Sequence, residues 1–197
     1  MIKPIYRILR NQLTKMYQER LEESKYNEDR DYEPIRDYLE THPVSTDEQE
    51  LAEYIRNATI TRHIHYIVIH CTATSTSATV TAIRNYWRNT LKWKNPGYHI
   101  IFHHDDGFTV LADFDNVTNG VRGFNFNSIH LSYIGGIDAQ NKPIDNRSEN
   151  QKKLIKIAVE ELKKRLPEAI VQGHRDFPGV AKACPCFDAK SEYESIV

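Results

Sequence analysis

The chain has 197 residues, 40% of them hydrophobic and 27% charged, enough for one globular domain with or without an appendage. A formal net charge of -1 gives no electrostatic case for nucleic acid or an anionic membrane, and no segment approaches the roughly 20 apolar residues that span a bilayer. Three cysteines, an odd count, argue against a disulfide framework and fit reduced thiols in the cytoplasm.

Residues 1–62 read as a helical N-terminal extension. Ile5, Leu9, Leu13, Met16 and Leu21 recur at helical spacing behind Pro4. Pro34 opens a second short helix through Leu39, and HPVST is a break. Ser45 and Glu48 have capping-box spacing ahead of Leu51, Tyr54 and Ile55, which predicts a third helix. The first twenty residues are basic and the stretch from Glu22 to Glu53 is acidic. Such an extension is either a packed appendage or a targeting module that binds a protein partner; charge asymmetry alone does not choose. Its start, MIKPIYRILRNQLTKMY, has positive charges but no uninterrupted apolar run, so it does not read as a secretory signal.

From residue 63 to 197 the pattern is α/β. HIHYIVIHC is rich in β-branched residues and reads as a buried strand. VTAIRNYWRNTL reads as a helix carrying Ile83, Tyr86, Trp87 and Leu91 near one stripe. YHIIFHH, a DDG turn and FTVLADF predict a hairpin, with His103, His104, Asp105 and Asp106 at its turn and rim. SIHLSYIGG is a further strand. Ser148 caps a long helix through Leu166 whose apolar face is Leu154, Ile155, Ala158, Leu162 and Leu166, and Pro167 stops it. AIVQGH is a last short strand, followed by the loop RDFPGVAKACPCFD.

His70 ends the first strand. Because side chains alternate along a strand, it shares a face with Val68 and Tyr66, whereas Cys71 points away and reads as a small buried apolar residue. His174 ends the last strand, directly before the loop bearing Lys182, Cys184 and Cys186. Two histidines and one loop cysteine would give zinc three protein ligands and leave a fourth position open, as catalytic sites require. Spacing alone leaves the bland reading standing too, in which His70 is an ordinary core or edge histidine and Lys182 a solvated surface lysine.

Four motifs occur in family order: HCTAT at 70–74, PGYHIIF at 96–102, NSIHLSYIGGID at 127–138 and GHRDFPGVAKACPCFD at 173–188. Together they resemble the type-2 N-acetylmuramoyl-L-alanine amidases, the family of amidase-type phage lysozymes and peptidoglycan recognition proteins. The likeness covers residues 63–197. It implies a central mixed β-sheet flanked by helices and a zinc ion held by His70, His174 and Cys184. It also implies catalytic roles for Tyr98 and Lys182, and peptidoglycan as the partner. The reaction implied is hydrolysis of the amide between the muramoyl lactyl group and L-alanine, of phage-endolysin or antibacterial-effector type. Family members that only recognise peptidoglycan typically lose the cysteine ligand, so Cys184 favours an enzyme over a binding module. Such an enzyme would be made in the cytoplasm and act at the bacterial cell wall after release or delivery.

Cys186 is left as a packed neighbour, an alternative ligand or a redox partner. Two positions depart from the family pattern. Relatives carry a histidine in a segment resembling S-H-x-K-G-x-N, where NGVRGFN places Gly120; His130 stands where relatives usually have glycine. Arg122 and Asn125 are the expected substrate contacts on that side.

Overall fold

A computed structural model describes residues 46–105 and 107–196. The two helices expected before residue 40, the Ser45 cap and Asp106 lie outside these residues. Helix α1 (Asp47–Asn57) begins the described chain. It is followed by strand β1 (Tyr66–Cys71) and helix α2 (Val80–Asn85), which passes into a π-helical turn, Tyr86–Thr90. Then come β2 (Ile100–Phe102), β3 (Phe108–Val110) and β4 (Ser128–Tyr133). Helix α3 (Glu149–Arg165), β5 (Ile170–Gly173) and helix α4 (Ala189–Tyr193) complete the chain.

The five strands form one mixed sheet in the order β3-β2-β4-β1-β5. β4 is the central strand; β1 lies between β4 and the edge strand β5, parallel to both, and β2 and β3 form the antiparallel hairpin at the other edge. A strand covered on both faces needs no polar face, and YIVIHC reads as a near-continuous apolar run; SIHLSY instead alternates Ser128, His130 and Ser132 with Ile129, Leu131 and Tyr133, yet all six are buried. On one face Ile67, Ile69 and Cys71 of β1 and Ile129, Leu131 and Tyr133 of β4 enter the main core with Leu154, Ile155, Ala158 and Leu162 of α3. The alternating residues Val68, His70, His130 and Ser132 occupy the opposite face and are also buried.

Helix α3 starts where the sequence places it. Ser148 accepts from the Gln151 N–H, and the Gln151 side chain accepts from the Ser148 N–H, a complete capping box. The same Gln151 then donates to the Phe102 and Ile134 carbonyls at 3.1 and 3.0 Å, so a fully buried amide fastens α3 to the ends of β2 and β4.

Helix α1, ahead of residue 62, packs into the main core. Leu51 and Ile55 of α1 are fully buried in the main core, and the compact unit runs from Asp47 to Val197. Helix α4, which sequence reading does not separate from the final loop, is held by Arg147. This guanidinium bonds to Asp145 and to Glu192 and lies 3.2 Å above the Phe187 ring.

Candidate metal centre

The parallel sheet delivers the site. β1 ends in His70 and the adjacent β5 ends at Gly173, so His174, the first residue of a 3-10 turn, emerges beside His70. The two imidazole centroids are 4.9 Å apart. The loop after that turn folds back: Arg175 N–H donates to the Cys184 carbonyl at 2.8 Å, and Pro185 lies against Gly173 so closely that a Cβ there would stand 2.5 Å from Pro185 Cδ. The Tyr133 hydroxyl donates to the Pro185 carbonyl at 2.7 Å. These contacts bring Cys184 to the two histidines. One ligand atom from each of His70, His174 and Cys184 lies within 4.8 Å of the others, forming the metal-competent cluster found among the described residues.

The donor chemistry fits a borderline-soft divalent ion such as zinc. Burial, reinforced by His130, His174 and Lys182, holds the His70 imidazole well below its ordinary pKa. Burial and Lys182 bring His174 down to about 4. Both rings are therefore neutral near pH 7 and keep a lone pair for a metal. Cys184 Sγ accepts the Cys71 N–H at 3.2 Å, which fixes the sulfur beside the end of β1. The other two thiols are suited to packing. Cys71 is raised, chiefly by its hydrogen bond with Cys184, and Cys186 is pushed up to about 12 by burial and by Cys71. Cys186 Sγ lies 3.2 Å from the Gly136 carbonyl and 3.7 Å from Cys71 Sγ, on the core side of the loop.

Tyr98 stands beside the cluster, its ring 5.1 Å from that of His70 and 5.3 Å from Trp87. Its hydroxyl donates to the Cys71 carbonyl at 3.4 Å, and burial raises its pKa, so it retains its proton. Lys182 is exposed and makes no ion pair among the described residues, yet its charge reaches both His70 and His174. Arg122 is exposed. Asn125 is half-buried, and its Oδ1 accepts the Val121 N–H at 2.6 Å, closing the loop that carries Arg122.

His99 and His130 form a buried layer behind His70 that sequence reading did not connect with it. His130 Nδ1 lies 3.1 Å from His70 Nε2, and the His130 N–H donates to His99 Nδ1 at 2.9 Å. The two departures from the family pattern meet here: a Cβ on Gly120 would collide with the His130 ring. His103 sits in the hairpin, its Nε2 2.8 Å from Thr109 Oγ1, and His104 is beside it, away from the cluster.

Residues 60–187 match the N-acetylmuramoyl-L-alanine amidase family. The endolysin of Klebsiella phage KP32 is 34% identical over 130 residues, covering 65% of this chain and 84% of that protein. The endolysin of Escherichia phage T7 is 33% identical over 132 residues, with the same coverage of 65% and 84%. Among solved structures, the Ph2119 endolysin of a Thermus scotoductus bacteriophage superposes with a TM-score of 0.55 at 24% identity, over 66% of this chain and 82% of that one. Bumblebee PGRP-SA superposes at 0.56 with 18% identity, over 71% and 84%. Motif order, sheet topology and these matches agree: the chain belongs to the N-acetylmuramoyl-L-alanine amidase family.

Proposed function

We propose that the chain is a zinc-dependent amidase of phage-endolysin type that hydrolyses the lactyl–L-alanine amide of bacterial peptidoglycan. The observation that carries this reading is the convergence of His70, His174 and Cys184, two neutral imidazoles and a sulfur from three separate segments. Bound by them, zinc would polarise the scissile carbonyl and lower the pKa of a water toward about 7.

The remaining work falls to the chain's own side chains. As the carbonyl carbon becomes tetrahedral, negative charge grows on its oxygen. Lys182, free of ion pairs among the described residues and with a charge that bears on both histidines, would stabilise that negative charge. Tyr98, held protonated and anchored on the Cys71 carbonyl, orients the attacking water or hands a proton to the departing amine. Arg122 offers an exposed cation for substrate carboxylates, and Asn125 shapes the loop that presents it.

Mass spectrometry of purified sacculi digested with and without a chelator tests the reading. The expected products are stem peptides with a free L-alanine amino terminus, lost on chelation. Cleavage between sugars, or release that a chelator leaves unchanged, would overturn it.

A further inference from the structure

We infer that His130 is the positioning residue of His70, accepting the hydrogen on Nε2 and thereby turning the Nδ1 lone pair toward Cys184 and His174. This rests on the proposed function only in taking those three residues as zinc ligands. The geometry divides the two nitrogens of His70 cleanly. Nδ1 lies 3.8 Å from Cys184 Sγ, and Nε2 lies 3.1 Å from His130 Nδ1. His130 pairs with Val68 across β4 and β1, and His70 is two residues further along β1 on the same face, so the rings meet on the diagonal.

The tautomers follow from hydrogen counting. A ligand nitrogen must be free of hydrogen, so Nδ1 ligation puts the His70 hydrogen on Nε2. His130 Nδ1 must then accept, and its own hydrogen sits on Nε2. That atom is buried with no hydrogen-bond partner among the described residues. The opposite arrangement, with His130 donating, would place the His70 hydrogen on Nδ1 and block the ligand position. An unpaired buried donor is a cost that sequences usually remove. Its retention here follows if Nδ1 is the atom that matters.

His130 is itself held from behind. Its N–H donates to His99 Nδ1 and its carbonyl accepts from the His99 N–H, both at 2.9 Å. His99 Nε2 lies 2.9 Å from the Asn116 carbonyl and donates to it, which leaves Nδ1 as the acceptor. Room for the ring comes from Gly120, in a loop pinned by Asn119 N–H to the Pro96 carbonyl at 2.8 Å and by Val121 N–H to Asn125 Oδ1 at 2.6 Å. A side chain at residue 120 cannot swing aside there, so Gly120 and His130 form one coupled arrangement. Partners of this kind commonly set metal affinity by 10–100-fold.

The test is zinc affinity by competition with a chromophoric chelator, on the full chain, alongside thermal unfolding of the metal-free protein. His130→Leu fills the volume without an acceptor and should weaken zinc binding by about 10–100-fold. His130→Asn places Oδ1 where Nδ1 stands and should recover most of that loss. Gly120→Ala should resemble His130→Leu, because its Cβ displaces the ring. Should His130→Leu fail to fold, His130→Asn against Gly120→Ala carries the comparison. Wild-type affinity in His130→Leu and Gly120→Ala, or equal losses in the Leu and Asn variants, overturns the positioning role alone. A wild-type protein that takes up no zinc overturns the proposed function and this inference with it.

Discussion

Tyr133, fully buried at the end of β4, donates its hydroxyl hydrogen to the carbonyl of Pro185, the residue after Cys184. The bond joins the core face of the sheet to the loop that carries the sulfur. Tyr133→Phe leaves the packing but strands a buried carbonyl, at a cost of about 1–3 kcal/mol. Urea unfolding should show that loss, and zinc affinity should fall with it because the loop is no longer tied. Unchanged affinity at reduced stability would mean that Gly173 and Arg175 hold the loop without Tyr133.

A chain cut at His63 should behave differently from one cut at Asp47. The first removes α1 and uncovers the core around Leu51 and Ile55, each fully buried side chain being worth about 1.5–3 kcal/mol. Residues 47–197 should keep a cooperative thermal transition, and residues 63–197 should melt lower or not fold. Equal melting temperatures would show α1 to be dispensable.

The three thiols should separate on substitution. Cys184→Ser should lose stoichiometric zinc and most activity, since a hydroxyl is a poor replacement for a soft ligand. Cys186→Ala should keep its zinc, because that thiol faces Gly136 and Cys71 rather than the two histidines. Elemental analysis of the purified variants decides; zinc retained in Cys184→Ser and lost in Cys186→Ala would exchange their roles.

Lys182→Ala should retain zinc and the wild-type melting temperature, because the side chain is exposed and makes no ion pair among the described residues. Turnover should fall by about 10²–10³, the usual cost of losing one preorganised donor at a developing oxyanion. A loss of zinc instead would make the lysine a support of the loop.

Much of this arrangement is written locally. The β-branched run before His70, the Ser148–Gln151 box and the histidine after Gly173 are signals a few residues long, and each marks an element that the structure contains. What depends on contact between distant segments is not. The adjacency of β4 and β1 puts His130 against His70, sixty residues apart in sequence, and no periodicity encodes that. For the same reason Gly120 and His130 read as two separate departures, although they share one space. The packing of α1 into the core is hidden in the same way, because α1 offers only two fully buried apolar residues, whose burial depends on a partner helix a hundred residues later. The π-helical turn at Tyr86–Thr90 and the five-residue α4 fall below what a 3.6-residue period can resolve.

The Arg147 clamp sets an acid limit on the fold. Burial alone would raise Asp145 and Glu192, but hydrogen bonds and the charge of Arg147 outweigh it, and both carboxyls sit below their ordinary pKa. A carboxylate depressed in the folded state stabilises it fully above the unfolded pKa, and that contribution disappears as pH falls through the lower folded value. Thermal unfolding between pH 7 and the acid range should therefore show stability falling below the ordinary carboxylate pKa. Arg147→Met removes the cause of the depression: it should be less stable than wild type at pH 7, with the gap closing as the solution is acidified. A gap independent of pH would mean that Arg147 acts through its contact with the Phe187 ring alone.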